Sequence, residues 1–149
     1  MIDIVDKQTR SRMMSGIRAK NTKPELLMRK MLHRRGFRFR LNVKTLPGKP
    51  DIVLPKHNAI IFVHGCFWHG HGCRLFKWPS TRREFWQEKI RKNIRNDQKS
   101  NSSLLAMGWR IAVIWECSIK SKSNDSNQLL FAKIVEWLES NSVIGEFSE

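Results

Sequence analysis

Residues 64–73, HGCFWHGHGC, concentrate three of the chain's five histidines and two of its three cysteines within ten positions. A segment this rich in Gly, His and Cys has too few apolar side chains to build a core of its own. Cysteine thiolates and histidine nitrogens are ligands that Zn²⁺ prefers, and four of them complete a tetrahedral site. The segment therefore constrains the fold, because a bound metal and a neighbouring buried strand have to hold it in place.

The remaining cysteine supplies the fourth donor of such a site. Cys117 follows WRIAVIW (109–115), a buried strand that we expect to run beside AIIFV (59–63) and to end near the loop. We predict a closed, structural zinc site with the ligands Cys66, His71, Cys73 and Cys117. In the alternatives, Cys117 is an ordinary buried thiol, or His64 or His69 replaces His71.

Basic residues dominate the chain, whose formal net charge is +15. Residues 7–49 carry fourteen Lys or Arg and one acid, and residues 74–99 carry nine basic and three acidic residues. From residue 116 onward, acids outnumber bases six to three. This asymmetry predicts a surface that binds nucleic acid, the alternative being a merely solvated basic surface. No membrane partner is expected, since the basic segments lack a strong apolar face and the chain has no long apolar run.

Length and composition indicate one globular domain spanning residues 1–149, with residues 1–20 as a basic N-terminal arm. The chain has 149 residues, of which 40% are hydrophobic. The first residues, MIDIVDKQTR, lack the apolar stretch of a secretory signal. The odd number of cysteines, two of them beside histidines, favours metal-bound thiolates in a reducing cytosol.

The pattern of apolar residues predicts the element order α-β-β-β-α-β-α, a mixed α/β sheet flanked by helices. The expected strands are 37–41, 51–54, 59–63 and 109–115. The expected helices are 22–36, about 80–107 and 127–138. Capping boxes are expected at Thr22 to Glu25 and at Thr81 to Glu84, with a break or bend of the second helix near residues 99–103. The tail after residue 140 carries no motif.

A candidate catalytic site follows from Asp51, which precedes one strand, and from the end of the next strand. A carboxylate and the backbone carbonyl of Val63 are oxygen ligands suited to Mg²⁺. His64 or His69 can act as general base or acid near neutral pH, and Glu25 can orient one of these histidines. In the alternative interpretation Asp51 only caps a turn and Glu25 only completes a capping box.

Five blocks of the sequence resemble those of the very short patch repair endonucleases, a family of bacterial T·G mismatch nicking enzymes. In chain order these are DKQTRSRMMSGIRAKNT, LPGKPDIV, IFVHGCFWHGHGC, TRREFWQEKIRKNIRND and GWRIAVIWEC. The resemblance covers nearly the whole chain and implies a restriction-endonuclease-like fold. It also implies a Mg²⁺-dependent nick 5′ to the T of a T·G mismatch. That mismatch arises by deamination of 5-methylcytosine in a methyltransferase recognition site, and the nick starts very short patch repair.

The resemblance implies roles for the candidate residues. Asp51 is similar to the catalytic Mg²⁺ ligand, with the Val63 carbonyl as its companion. His69 corresponds to the general base, His64 to an assisting histidine near the phosphate, and Glu25 to the acid that is hydrogen-bonded to the catalytic histidine. The structural zinc set corresponds to Cys66, His71, Cys73 and Cys117. The wedge of aromatic side chains inserted beside the mismatch corresponds to Phe67, Trp68 and Trp86.

Further DNA contacts are expected from the arm at residues 1–20, which is similar to the family's segment that reaches across the opposite groove. Met14 is expected to pack or wedge there. Lys89 and Asn93 lie about one and two helical turns beyond Trp86 and are expected to face DNA. The alternatives are burial of Phe67 and Trp68 beneath the loop and a core position for Trp86. Gly70 departs from the family pattern, since some relatives have a histidine there.

The expected partner is therefore double-stranded DNA with a T·G mismatch, bound by a monomer in the bacterial cytoplasm at the nucleoid. Mismatch-repair proteins and a repair DNA polymerase are partners that the resemblance implies. Two other functions stay open on sequence alone. One is a zinc-containing restriction-like nuclease with another DNA substrate, and the other is a non-catalytic module that binds mismatches.

Overall fold

The computed structural model describes residues 22–119 and 123–149. The predicted arm at residues 1–20, including Met14, lies outside the described residues. The helices are α1 (Lys23–Arg34), α2 (Arg83–Ala106) and α3 (Asn124–Glu139). The strands are β1 (Arg40–Leu41), β2 (Ile52–Leu54), β3 (Ala59–His64), β4 (Arg110–Trp115) and β5 (Ile144–Phe147). None of the helices in the described ranges is both long enough and apolar enough to span a bilayer.

The strands form one mixed sheet in the order β1-β2-β3-β4-β5. β1, β2 and β3 pair antiparallel, whereas β3, β4 and β5 pair parallel. β3 is therefore the central strand, as the run of β-formers predicted. Its pairing with β4 is also confirmed, and it aligns His64 with Trp115. Both strands end at the same edge of the sheet, and the loops that follow them meet there.

Side chains of β3 alternate between the two faces of the sheet and so contribute to two apolar clusters. Ile61 and Val63 pack with residues of α1 and α3. Ile60 and Phe62 pack on the opposite face, with Leu104 of α2. The sheet is thus covered on both faces by helices. This alternation also directs His64, two residues beyond Phe62, toward the α2 side.

Two expectations about α2 are wrong. The helix begins at Arg83 after Arg82 in a left-handed conformation (φ 52°), and no side-chain cap is made there, so Thr81 and Glu84 form no capping box. The helix is also continuous through residues 99–103, so the break expected there as one of two possibilities, a break or a bend, does not occur. Packing overrides the weaker helix propensity of the Ser and Asn residues in this stretch, since Leu104 is fully buried and Gly48 lies close to the Ser100 side chain.

The sheet also departs from the expected pattern at both of its edges. The strand expected at 37–41 is limited to the two residues of β1. Its partner β2 has only three residues, because Pro50 and Pro55 and the turns beside them flank it on both sides. The tail after residue 140 contains β5, which completes an α-β-β-β-α-β-α-β order. α3 begins three residues earlier than expected, because Ser123 accepts a hydrogen bond from the Ser126 amide and caps it.

Candidate active site and metal centre

A cavity of about 440 Å³ opens where β3 ends. It lies between the N-terminus of α1, helix α2 and the loop at residues 65–73, which carries three of the four predicted zinc ligands. Its walls include all four predicted catalytic residues. The predicted residues in its lining are Glu25, Asp51, Val63, His64, Trp68, His69 and Asn93. Residues separated by up to 68 positions in the sequence therefore meet in one cavity. Catalytic groups on loops at strand ends are typical of enzymes built on an α/β sheet.

Asp51 is held at the start of β2 by the backbone of the neighbouring strand. The Val63 amide donates to Asp51 Oδ2 at 2.8 Å. The N–H and C=O of a strand residue project toward the same strand edge, so the Val63 carbonyl also projects to this edge. The pKa of Asp51 is raised to about 7, chiefly by burial and in smaller part by the nearby Glu25 carboxylate, while the Val63 hydrogen bond and the positive charges of His69 and Arg29 oppose the rise. A carboxyl group in this state is stabilised in its charged form by a cation.

His64 and His69 lie face to face beside this carboxyl group. Their ring centroids are 3.7 Å apart, with only 4° between the ring planes. Burial lowers the pKa of His64 well below its usual value, and the neighbouring His69 lowers it further. His64 is therefore neutral at pH 7, because its charged form is disfavoured. The half-buried His69 is the more accessible of the two imidazoles.

Asp97 of α2 is the carboxylate that holds His69, and sequence reasoning missed it. The distance from His69 Nδ1 to Asp97 Oδ2 is 2.6 Å. Because a carboxylate only accepts hydrogen bonds, Nδ1 carries the proton and Nε2 keeps its lone pair in the neutral ring. Glu25, expected to orient a histidine, lines the same cavity and binds Arg29 Nη2 at 3.0 Å. A sequence signal for Asp97 existed, since it is an isolated acid in a basic run, as Glu25 is.

The four predicted zinc ligands converge at the same edge of the sheet. The donor atoms of Cys66, His71, Cys73 and Cys117 all lie within 4.8 Å of one another. Hydrogen bonds fold the loop around them: the His71 amide donates to the Cys66 carbonyl and the Cys73 amide to the His71 carbonyl, both at 2.9 Å. Three sulfur donors and one nitrogen donor match a tetrahedral structural zinc site. His64 and His69 belong to the other cluster, so the alternative of one of them replacing His71 is not what the structure shows.

Burial also governs the charge state of the two innermost thiols. It raises the pKa of both Cys66 and Cys117 above the usual range for a thiol. Metal binding requires thiolates, so a bound dication would supply the charge compensation that this buried pair lacks. The Glu116 carboxylate accepts from the Cys66 amide at 3.1 Å and so fixes the start of the loop against the end of β4.

The predicted wedge residues form one aromatic cluster beside the cavity. Phe67, Trp68 and Trp86 contact one another with ring centroids 5.2–5.7 Å apart and steep interplanar angles. All three side chains are half-buried. They are therefore neither fully buried in the core, as one alternative expected, nor fully exposed to DNA. The cluster extends further than the sequence suggested, through Phe76, Trp78 and Phe85. Trp78 is 36% and Phe85 45% exposed, so part of this surface is open to a partner.

The two polar residues expected to face DNA on α2 are both half-buried. The Asn93 side-chain amide donates to the Trp68 carbonyl at 2.8 Å, inside the protein. Asn93 therefore positions the backbone of the aromatic cluster, and its predicted contact with DNA, like that of Lys89, stays a prediction.

Gly70 seats the loop directly on α2, which leads to a stability prediction. Its φ is +66°, and a Cβ there would lie 2.7 Å from Ile94 Cδ1 and 2.9 Å from Ile90 Cγ2. Gly70→Ala is expected to lower the free energy of unfolding by about 1–3 kcal/mol through backbone strain and overpacking. Urea unfolding measures this. Gly72→Ala is the matched control, because no atom lies within 4 Å of its added Cβ. Equal effects of the two substitutions would contradict the packing argument.

Comparisons with known proteins identify relatives that cover most of the chain. Residues 2–75 match the family model described as DNA mismatch endonuclease Vsr. The chain is 41% identical over 138 residues to DNA mismatch endonuclease Vsr of Escherichia coli K12, covering 93% of this chain and 88% of that protein. It is 48% identical over 119 residues to the type II nicking enzyme V.XorIIP of Xanthomonas oryzae, covering 80% and 88%. It is 46% identical over 123 residues to the type II nicking enzyme V.NmeAIP of Neisseria meningitidis, covering 83% and 88%. On the strength of this identity and coverage, the chain belongs to the DNA mismatch endonuclease Vsr family.

Proposed function

We propose that this member of the family nicks one strand of a T·G mismatch, 5′ to the mispaired T, in a Mg²⁺-dependent reaction. The nick would leave a 5′-phosphate and start very short patch repair at a methyltransferase recognition site. The observation that carries the proposal is the shared cavity in which Asp51 and the Asp97-bound His69 lie beside the aromatic cluster. Groups for hydrolysis and for DNA distortion are thus adjacent.

The residues around Asp51 fit a magnesium ion. Asp51 and the Val63 carbonyl are oxygen donors, and Glu25 adds negative charge next to them. When bound, Mg²⁺ neutralises charge at the scissile phosphate and lowers the pKa of water. The Arg29 guanidinium forms an ion pair with Glu25 and so already balances part of the negative charge of the two carboxyl groups.

His69 is the general base of this proposal. Asp97 holds its Nδ1 proton, which leaves Nε2 to take a proton from the attacking water. The Asp97 carboxylate, 2.6 Å from Nδ1, keeps accepting the Nδ1 hydrogen bond when the imidazolium forms and so holds the ring in place. His64 stays neutral and stacks on His69, so it restricts the ring orientation without adding a competing positive charge.

The aromatic cluster supports the preference for a mismatch. Phe67 and Trp68 lie in the loop between the first two zinc-type ligands, Cys66 and His71, so a structural zinc would fix the loop that carries them. Flat apolar side chains can enter and unstack a base step, which is cheapest at a weakened pair. The zinc set is thus proposed to be structural and the cluster to act on DNA.

The biological setting follows from the same proposal. The chain would act as a single 149-residue domain and as a monomer on double-stranded DNA, in the bacterial cytoplasm at the nucleoid. The basic arm and Met14 would add contacts to the duplex. Mismatch-repair proteins and a repair DNA polymerase would then act on the nicked product.

A nicking assay on end-labelled duplexes tests the proposal. Each duplex carries T·G or matched C·G within one of a panel of cytosine-5 methyltransferase sites, with and without Mg²⁺. We expect one cut on the T strand, 5′ to T, only with Mg²⁺ and only in the mismatched duplex. Because two of the relatives described above are named as type II nicking enzymes, cutting of matched sites would favour a restriction-like activity instead. Tight binding without any cut would favour a binding module.

Trp68→Ala tests the aromatic cluster in the same assay. The ratio of affinities for T·G over C·G duplexes is expected to fall roughly tenfold, the value of about one base–aromatic stacking contact. Binding to the matched duplex, which depends on phosphate contacts and salt, is the internal control and should change less than about twofold. Equal losses on both duplexes would mean that Trp68 makes no mismatch-dependent contact.

A further inference from the structure

Trp115, the last residue of β4, lies between the zinc-type ligands and the histidine pair. Its ring stacks on His71, with centroids 4.2 Å apart and 8° between the planes. The same ring meets His64 and His69 edge-on, at 5.3 and 6.3 Å with interplanar angles of 67° and 68°. One indole therefore contacts a candidate zinc ligand and both imidazoles of the cavity.

The indole itself is anchored on its other side. Its Nε1 donates to Glu146 Oε1 of β5 at 2.9 Å. Its backbone lies in the β3–β4 ladder, where it is aligned with His64. The adjacent Glu116 holds the Cys66 amide at 3.1 Å, so strand and loop are joined at this point. Trp115 has only two side-chain torsions, and these contacts restrict both of them.

A rigid aromatic ring in contact with three imidazoles transmits displacement among them, because close-packed groups cannot move independently. We propose that Trp115 is a positioning residue that couples metal occupancy at the Cys66–Cys117 cluster to the orientation of His64 and His69. The catalytic meaning of this coupling rests on the function proposed above. The coupling itself concerns ring positions and is independent of it.

Histidine NMR tests the coupling without any activity measurement. The chain has five histidines, so selective imidazole labelling gives five signals. Trp115→Leu is expected to move the signals of His64, His69 and His71, whereas His33 and His57, which lie on other elements, serve as internal controls. Trp115→Phe keeps an aromatic face but loses the bond to Glu146, and it should move the same signals less. Unmoved His64 and His69 signals in Trp115→Leu would overturn the proposal.

Metal exchange tests whether a change at the four-ligand cluster reaches His64 and His69 through Trp115. Replacing Zn²⁺ by the larger Cd²⁺ keeps a thiolate-binding ion in place and alters the ligand distances. In the wild type this exchange is expected to move the His71, His64 and His69 signals. In Trp115→Leu only the His71 signal should respond. Equal responses of His64 and His69 in both proteins would show that the coupling bypasses Trp115.

Single-turnover kinetics then separate positioning from general stability. Trp115→Leu is expected to lower the nicking rate on saturating T·G duplex roughly 10- to 100-fold, as small misplacements of catalytic groups do. The dissociation constant for the duplex should stay within about twofold of the wild type, and Trp115→Phe should recover part of the rate. Trp109→Leu, immediately before β4 and away from the three histidines, is the matched control for loss of an indole.

The outcomes of these experiments distinguish the two proposals. A wild type that cuts no duplex defeats the proposed function, whereas the NMR comparison still decides the coupling. A wild type that cuts, with Trp115→Leu cutting at the same rate and with unmoved histidine signals, defeats the coupling alone. Glu146→Ala provides a second variant that leaves the indole in place, with the exposed Glu139→Ala as its control. It is expected to move the signals of the same three histidines through loss of the Nε1 hydrogen bond alone.

Discussion

Asp51→Asn is expected to lower the nicking rate on a T·G duplex by about 10³-fold or more. The amide cannot carry the negative charge that a catalytic Mg²⁺ requires, and electrostatic contributions of this kind are among the largest in catalysis. The affinity for the duplex should change less than about threefold, because most of it comes from phosphate contacts elsewhere. Single-turnover nicking and binding in Ca²⁺ or metal-free buffer measure the two quantities.

Asp125→Asn is the matched control, an exposed aspartate in the first turn of α3 whose neutralisation should leave both quantities unchanged. Wild-type nicking by Asp51→Asn would remove Asp51 from the catalytic site. If Asp51→Asn lost both DNA binding and nicking, Asp51 would instead be assigned to DNA recognition.

The stability of the same variant provides an independent check on the state of Asp51. Burial raises the pKa of this group from 3.8 to about 7, so the folded state binds its proton more tightly than the unfolded state. Wild-type stability therefore contains a penalty that grows as pH rises from about 4 to about 7. In magnesium-free buffer Asp51→Asn should exceed the wild type in unfolding free energy by on the order of 2 kcal/mol at pH 8. The excess should shrink at pH 5, whereas a pH-independent difference would contradict the raised pKa.

Loss of a zinc ligand is the second change with a large expected effect. The wild type is expected to contain one zinc ion per chain, and Cys73→Ser or His71→Ala to contain much less than one. Without the ion, buried thiols and a loop with little apolar content lose their cross-link. We expect the free energy of unfolding to fall by roughly 5 kcal/mol, less than in domains that depend wholly on zinc, because the sheet and its two apolar clusters persist.

Metal analysis and urea unfolding measure these two effects. His33→Ala is the control, since His33 is an exposed histidine on α1 away from the four ligands. A well-folded wild type that contains no zinc after metal-free purification would contradict the site. Retention of one zinc ion by Cys73→Ser would mean that another donor completes it.

The parts of the fold that the sequence predicted are those with strong local patterns. The β-formers of β3 and β4 marked two buried strands, and the position of Cys117 after the second implied that it would meet the loop. The sheet edges were harder to predict. β5 is a short segment with a glycine at 145, and Ile144 is 64% exposed, so its pairing depends on β4 rather than on its own pattern.

In the candidate site, too, the residues beside strongly patterned strands were predicted, and the one placed by tertiary packing was missed. Asp51 and the two histidines stand beside predicted strands, where their residue types indicate chemistry. Asp97 lies 28 positions from His69, on a helix whose sequence is rich in basic residues, and only the packing of that helix brings the two together. The expected break at residues 99–103 concealed this arrangement, because a broken helix would not have placed Asp97 reliably against the loop.

The unbroken α2 sets a fixed length within the enzyme. Trp86 of the aromatic cluster and Asp97, which holds His69, stand eleven residues apart on this one helix, a rise of about 16 Å at 1.5 Å per residue. With Gly70 seating the loop on Ile90 and Ile94 between them, no hinge intervenes. Under the proposed function, the geometry of this helix therefore fixes the distance between the base step that is distorted and the phosphodiester bond that is cut.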